Sequence, residues 1–264
     1  MGIPKACRER LARAERMWLF LDYDGTLADF APTPEHVLPD PALIALLGEL
    51  VRQPWLRVAV VSGRRLGHVQ KLVPVPGILL AGTYGIQLQT PEGERIDRLE
   101  YGTIRPTLEA LKPQWSNLMA GREGFFLEDK GWALALHARF VEEDEAEGVL
   151  AAAHRLATGI MQDSPPDLFR LLGGHKFLEI GPRLAHKGRT VAYLLAQYRW
   201  SGALPLYLGD DDKDEEAFGV VKEQGGIALL VSARPRETQA DGRLESPQAA
   251  RAWLRKELFR PAAD

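Results

Sequence analysis

The chain has one cysteine, Cys7, among its 264 residues, so it can form neither an intrachain disulfide nor a zinc site of clustered thiolates. A reducing, cytoplasmic setting is the simplest expectation. Long apolar runs are absent: stretches such as Ile227–Val231 fall far short of the ~18 residues a membrane span needs, so no membrane partner is expected. A large charge of either sign is also absent. Thirty-three Lys and Arg stand against 36 Asp and Glu, a net −3, which provides no basic excess to neutralise a phosphate backbone and makes nucleic acid a poor partner. The first 16 residues carry basic groups but no apolar stretch of a signal peptide, and Ala6 stands where a myristoylation signal has Ser or Thr. A short basic helix is expected there. No GxxxxGK[ST], GxGxxG or GxSxG occurs, which excludes a P-loop, a dinucleotide fingerprint and a nucleophile elbow. What remains is 45% apolar and 26% charged, the balance of a folded globular chain with ample core-forming capacity.

The pattern along the chain divides it. Residues 17–21 form a continuous apolar run stopping at Asp22, as a buried parallel strand would. Asp40-Pro41 opens a helix with a capping carboxylate and a first-turn proline, and Leu43, Leu46, Leu47 and Leu50 repeat at helical spacing. Strands are expected at 58–61 and 78–81, with a short helix between them, giving a parallel sheet with right-handed crossovers. The middle reads differently. A helix at 107–119, broken or kinked at Pro113, precedes strands at 125–127 and 132–140 and an acid-started helix at 142–158 ended by Gly159. Strands at 168–172 and 176–180 flank Gly173-Gly174, a hairpin signal. The α/β pattern then resumes: a helix at 188–199, a strand at 204–208, a helix at 214–221, a strand at 227–231, and a last helix capped by Ser246-Pro247. The expected architecture is therefore an α/β core, residues 1–104 and 183–264, with an inserted α+β unit at 105–182.

Open α/β sheets bind ligands outside the carboxyl ends of their strands. Those ends carry Asp22-Tyr23-Asp24-Gly25-Thr26, Ser62-Gly63-Arg64, Gly82, and Gly209-Asp210-Asp211-Asp212-Lys213-Asp214. Bare carboxylates at buried strand ends are costly unless neutralised, and two acidic clusters converging on one edge suit a hard divalent cation such as Mg²⁺. The Asp22/Asp24 spacing points both side chains the same way along an extended chain, so one carboxylate can attack while its neighbour moves protons. Gly25 permits close backbone approach to an anion, and Thr26 adds a hydroxyl.

These residues carry a resemblance. Asp22-Tyr23-Asp24-Gly25-Thr26-Leu27 resembles the first motif of the haloacid dehalogenase-like phosphohydrolases, Ser62-Gly63-Arg64 the second, Lys187 the third and Gly209-Asp210-Asp211…Asp214 the fourth, in the right order. Within the insert, Leu127-Glu128-Asp129-Lys130-Gly131, His137-Ala138-Arg139 and Lys176-Phe177-Leu178-Glu179-Ile180-Gly181-Pro182 are similar to trehalose-6-phosphate phosphatases. The resemblance runs from about Trp18 to Val231. It departs at Tyr84, where that family usually has His, and at Lys213, where it usually has Thr.

The resemblance implies a Rossmann-like core with a cap domain that sets specificity and closes over its substrate. It implies Mg²⁺-dependent hydrolysis of trehalose 6-phosphate to trehalose and inorganic phosphate through an aspartyl-phosphate. Asp22 would be the nucleophile and Asp24 the acid and base. The metal would be held by Asp22, the Asp24 carbonyl and Asp210, with Asp211 in support. Thr26, Ser62, Gly63 and Lys187 would bind the phosphoryl group; Arg64, Glu128, Lys130 and Glu179 would bind the sugar. The partner implied is a small sugar phosphate, with a monomer sufficient. The core motifs suit equally a phosphatase for another sugar phosphate, such as mannosyl-phosphoglycerate or sucrose phosphate. They also suit a sugar phosphomutase, or a non-catalytic sensor, against which Asp24 argues.

Overall fold

The computed structural model describes residues 2–29 and 37–260. The chain forms two compact units, one of Met1–Arg98 with His186–Asp264 and one of Leu99–Ala185. In chain order the first contributes α1 (Lys5–Arg13), β1 (Met17–Leu21), α2 (Pro41–Val51), β2 (Leu56–Val61), α3 (Leu66–Leu72), β3 (Leu79–Gly82), β4 (Gln87–Gln89) and β5 (Arg95–Asp97). The second unit holds α4 (Tyr101–Met119), β6 (Phe126–Asp129), β7 (Leu134–His137), α5 (Glu143–Gln162), β8 (Phe169–Gly174) and β9 (Phe177–Pro182). The chain then returns to the first unit with α6 (Lys187–Gln197), β10 (Leu204–Gly209), α7 (Asp212–Glu223), β11 (Ile227–Val231), β12 (Gly242–Leu244) and α8 (Pro247–Leu258). No helix among the described residues is long and apolar enough to cross a membrane.

The first unit is an eight-stranded sheet in the order β12-β11-β10-β1-β2-β3-β4-β5. It is parallel from β12 to β3, with β4 and β5 added antiparallel. Alternate residues of β1 feed two cores. Leu19 and Leu21 pack with Leu43, Leu47 and Leu208 on one face, Trp18 and Phe20 with Tyr207 and Phe218 on the other. Burial on both faces is why this strand reads as an unbroken apolar run. Because β1 lies between β10 and β2, and the chain runs outward from it in both directions, its carboxyl end is a topological switch point. Leu21 pairs with Leu208 and Val60, so the segments after β1, β10 and β2 emerge side by side.

The second unit is an antiparallel sheet, β6-β7-β9-β8, with α4 and α5. Its helix α4 begins at Tyr101, ahead of the 107 expected, and carries both Pro106 and Pro113. Ile104, Leu108, Leu111 and Trp115 form one buried stripe, and both prolines face solvent, so the apolar face decides the helix despite two missing backbone donors. The second unit spans Leu99–Ala185, where 105–182 was expected. Helix α5 likewise runs past Gly159 to Gln162, because Ala146, Val149, Ala153 and Ala157 keep its inner face packed. The hairpin is present, but its turn is His175-Lys176. Gly173 and Gly174 belong to β8, Gly174 pairs with Phe177, and Lys176 adopts a positive φ of 54°.

Candidate active site

The centre of the site is a buried chain of charges at the carboxyl end of β1. Asp22 continues that strand, its N–H donating to Leu208 O at 2.9 Å. Lys187, the first residue of α6, donates from Nζ to Asp22 Oδ1 at 2.8 Å and to Asp214 Oδ1 at 2.7 Å. All three are buried. Asp214 lies in the first turn of α7, in a capping box with Asp211. It also accepts Tyr207 Oη at 2.7 Å and the backbone N–H groups of Asp210 and Asp211 at 3.0 and 3.1 Å. The approach requires Gly209, since a Cβ there would lie 2.3 Å from Asp214 Cγ. Thr26, fully buried, donates to Asp210 Oδ1 at 3.4 Å.

Burial sets the protonation chemistry of this cluster. It pushes Asp22 up to about 7; Lys187 opposes the shift, while Asp210 and Asp211 add to it. Asp210 rises to about 7 through burial and the neighbouring Asp214 and Asp211. Asp214 also reaches about 7, chiefly through burial, with Lys187 in opposition. Burial would lower Lys187, but Asp214 and Asp22 outweigh it and hold the ammonium well above its ordinary value. Burial likewise works against ionised Asp211, yet Lys187 and hydrogen bonding bring its carboxyl below the usual range.

Carboxylate oxygens of Asp22, Asp210 and Asp214 lie within 4.8 Å of one another. Asp22 Oδ2 is buried and has no hydrogen-bond partner among the described residues. An all-oxygen donor set, three acids raised by burial and one orphaned oxygen fit a hard divalent cation. Asp22 and Asp210 of the expected set lie together in this group. Asp214 lies beside Asp22 and Asp210, but both of its oxygens already accept two hydrogen bonds each, from Lys187 and Tyr207 and from the Asp210 and Asp211 N–H groups, so it orders the cluster. Asp211 caps α7, its Oδ1 accepting from Lys213 N at 2.9 Å and Asp214 N at 3.2 Å, and its side chain is 45% exposed. Tyr207 was missed: a tyrosine in an apolar strand reads as core until its hydroxyl is located.

Asp24 is paired with Arg64, whose Nε and Nη2 donate to its two oxygens at 2.7 and 2.6 Å. Ser62, buried at the end of β2, accepts Arg64 N on Oγ at 3.1 Å, and Gly63 follows it beneath the ring of Tyr84. Asp22 and Asp24, Ser62 and Gly63, and Asp210 and Asp211 thus follow the adjacent strands β1, β2 and β10.

In the second unit the three expected sugar-binding residues also converge. Lys130 Nζ donates to buried Glu179 Oε2 at 2.6 Å and lies 3.8 Å from Glu128 Oε2. His137 Nε2, which the sequence left undecided, is 3.1 Å from the same Glu128 oxygen. β6, β7 and β9 bring them together across the sheet. Asp129 serves the scaffold, gripped by both Arg105 nitrogens at 2.7 Å and by Lys112 at 2.8 Å.

The chain is similar to known proteins along most of its length. A trehalose 6-phosphate phosphatase of Zea mays is 30% identical over 268 residues, covering 93% of this chain and 70% of that protein. The trehalose-phosphate phosphatase of Mycobacterium avium is 34% identical over 241 residues, covering 88% of this chain and 59% of that protein. Among solved structures, the C-terminal domain of the C. albicans trehalose-6-phosphate phosphatase matches the fold with a TM-score of 0.80 at 20% identity, covering 97% of this chain and 98% of that one. The family profile described as trehalose-phosphatase matches residues 20–248, nearly the whole core and all of the insert. On that match and those relatives, the chain belongs to the trehalose-phosphatase family.

Proposed function

We propose that this protein is a phosphoric monoester hydrolase that cleaves trehalose 6-phosphate to trehalose and inorganic phosphate. The observation that carries the proposal is Asp22: a buried carboxylate at the switch point, fixed through Oδ1 by Lys187 and left with Oδ2 unpartnered. Fixing one oxygen orients the other for in-line attack. In the first half-reaction Asp22 bonds to phosphorus as the P–O bond to the sugar breaks, and Asp24 gives a proton to the leaving oxygen. In the second, Asp24 takes a proton from water, which attacks the aspartyl-phosphate and frees phosphate and Asp22. Acid–base help of this kind contributes ~10²–10⁴-fold. Arg64 holds both Asp24 oxygens in this structure, so Asp24 carries that proton only once released from the pair. Ser62 and Thr26 offer hydroxyls to the phosphoryl oxygens.

Asp22 and Asp210, with the Asp24 carbonyl and Asp211 in support, would hold a divalent cation, Mg²⁺ in this reading, and such an ion supplies charge neutralisation for phosphoryl transfer. In the second unit, Glu128, Lys130 and Glu179 recognise sugar hydroxyls, charged groups forming the stronger hydrogen bonds.

The test is phosphate release from trehalose 6-phosphate beside glucose 6-phosphate, sucrose 6-phosphate and mannosyl-phosphoglycerate, with Mg²⁺ and with chelator. Release from trehalose 6-phosphate above the others, abolished in a folded Asp22→Asn variant, is expected. Equal release by that variant would overturn the assignment. Isomerised sugar phosphate in place of free phosphate would mark a mutase.

A further inference from the structure

β10 and β11 are adjacent parallel strands, and the segment after β11 lies against the segment after β10. Residues 232–241 are anchored at both ends: Ser232 N donates to Leu244 O and Asp241 N to Ala228 O, each at 2.8 Å. Arg236 stands between these anchors. Its Nη1 donates to Asp212 Oδ1 at 2.8 Å. Its Nη2 lies 3.1 Å from Glu215 Oε1 and donates to the Asp210 carbonyl at 3.3 Å. Glu215 is itself fixed from the same segment, its Oε2 accepting Gln239 N at 2.8 Å. No step assigned to Asp22 or Asp24 uses this arginine.

Asp210 is thereby held on both sides of its Cα. Its N–H donates to Asp214 Oδ2 at 3.0 Å, and its C=O accepts from Arg236. These groups belong to the two peptide planes that flank the residue. Peptides are planar, so pinning both planes fixes φ and ψ and, with them, the direction of the side chain. The carboxylate so directed accepts the Thr26 hydroxyl at 3.4 Å and lies in the group with Asp22. Charge alone does not explain an arginine here, because a cation near an ion site opposes a dication. Asp212 and Glu215 match that charge, and what remains is geometry. A guanidinium fork reaches three acceptors at once, which an ammonium does not.

We propose that Arg236 is a positioning residue for ion binding, acting through the Asp210 backbone to keep the Asp210 carboxylate beside Asp22. This rests on the reading of Asp22 and Asp210 as ion ligands. A residue that only tied two loops together would alter melting and leave ion affinity untouched. One that acted by charge would weaken ion binding, so its removal would tighten it.

The experiment compares the full-length wild type with Arg236→Met and Arg236→Lys. It measures Kd for Mg²⁺ by calorimetry, melting temperature in chelator, and KM for trehalose 6-phosphate at saturating Mg²⁺. Arg236→Met should raise the Mg²⁺ Kd by about tenfold, the scale on which groups that orient metal ligands act. KM for the sugar phosphate at saturating Mg²⁺ should stay within about twofold, since the ion then restores the site. Arg236→Lys keeps the charge without the fork and should raise the Mg²⁺ Kd by at least about threefold. A Kd that falls in Arg236→Met would overturn the proposal in favour of charge. An unchanged Kd with a lower melting temperature in chelator would overturn it in favour of a loop tie. Wild-type affinity in Arg236→Lys would also overturn it, because the fork is what holds Asp210. Where Arg236→Met does not fold, Arg236→Lys decides alone, its net charge being that of the wild type. If the wild type shows neither heat nor a melting shift with Mg²⁺, the ion reading itself fails and the proposal with it. That outcome is distinct from a wild type that binds Mg²⁺ with both variants equal to it, which removes the proposal alone.

Discussion

Lys187 joins two buried carboxylates, and its removal would leave them facing one another without a counter-charge. Breaking a buried pair in this way costs ~3–5 kcal/mol, so Lys187→Met is expected to lower unfolding free energy by that order in urea titrations, well beyond any surface lysine change. The same cluster fixes a pH dependence. Asp22, Asp210 and Asp214 sit at about 7 when folded, and an ordinary aspartate titrates near ~4 in an unfolded chain. Between those values the folded state holds more protons than the unfolded one. Stability of the metal-free protein should therefore fall as pH rises from ~4 to ~7 and level off above that window. Thermal melts in chelator across this range check the sign. Asp210→Asn should flatten the slope, and a wild-type slope of the opposite sign would contradict the burial argument.

At the scale of elements, helix α4 shows how a packed stripe overrides local preference. Pro113 is exposed and leaves the Glu109 carbonyl without its helical donor. Pro113→Ala restores that donor on the solvent face. It should raise stability by up to ~1 kcal/mol in urea titrations, the loss of proline stiffness in the unfolded chain offsetting part of the gain. A decrease would contradict the solvent-facing reading of Pro113. The element order was legible in the sequence where burial is two-sided or periodic: β1, β2, β10 and β11 as apolar runs, and α2 and α8 from their caps, Asp40 and Ser246. β4, β5 and β12 have three residues each, too few for any period to show. The segments carrying Asp22, Thr26 and Ser62 were legible because each follows a strand. The place of Asp214 in the acidic cluster, the hydroxyl of Tyr207 and the Arg236–Asp210 contact were not, because each depends on which distant strand end lies alongside.

For the whole molecule, the net charge of −3 hides a segregation. Residues 22–29 and 210–216 hold nine acids and one base, so the remainder of the chain is net positive. Both windows belong to the first unit, as do Asp22, Asp210 and Asp214. The insert has an independent means of folding: its own antiparallel sheet, a fully buried Trp115 bonded to Ala153 O at 3.0 Å, and the Asp129–Arg105–Lys112 anchor. Hydrogen bonds from Arg105, aided by Lys112, hold Asp129 well below the usual carboxylate range against the effect of burial. Its stabilising contribution is present above ~4 and lost as pH falls through the folded value. Ion binding and insert stability should therefore separate physically. A fragment of residues 99–185 is expected to melt cooperatively by circular dichroism, to weaken in acid, and to show no change in melting temperature with Mg²⁺. The full chain should gain stability with Mg²⁺ by selective binding to the folded state, and Asp210→Asn should lose that gain. A Mg²⁺ shift in the fragment, or its persistence in Asp210→Asn, would move the ion-binding acids away from the end of β1. Segregated charge then has a physical meaning: the self-repelling acids are gathered where one dication can relieve them, and the insert titrates by its own ion pairs.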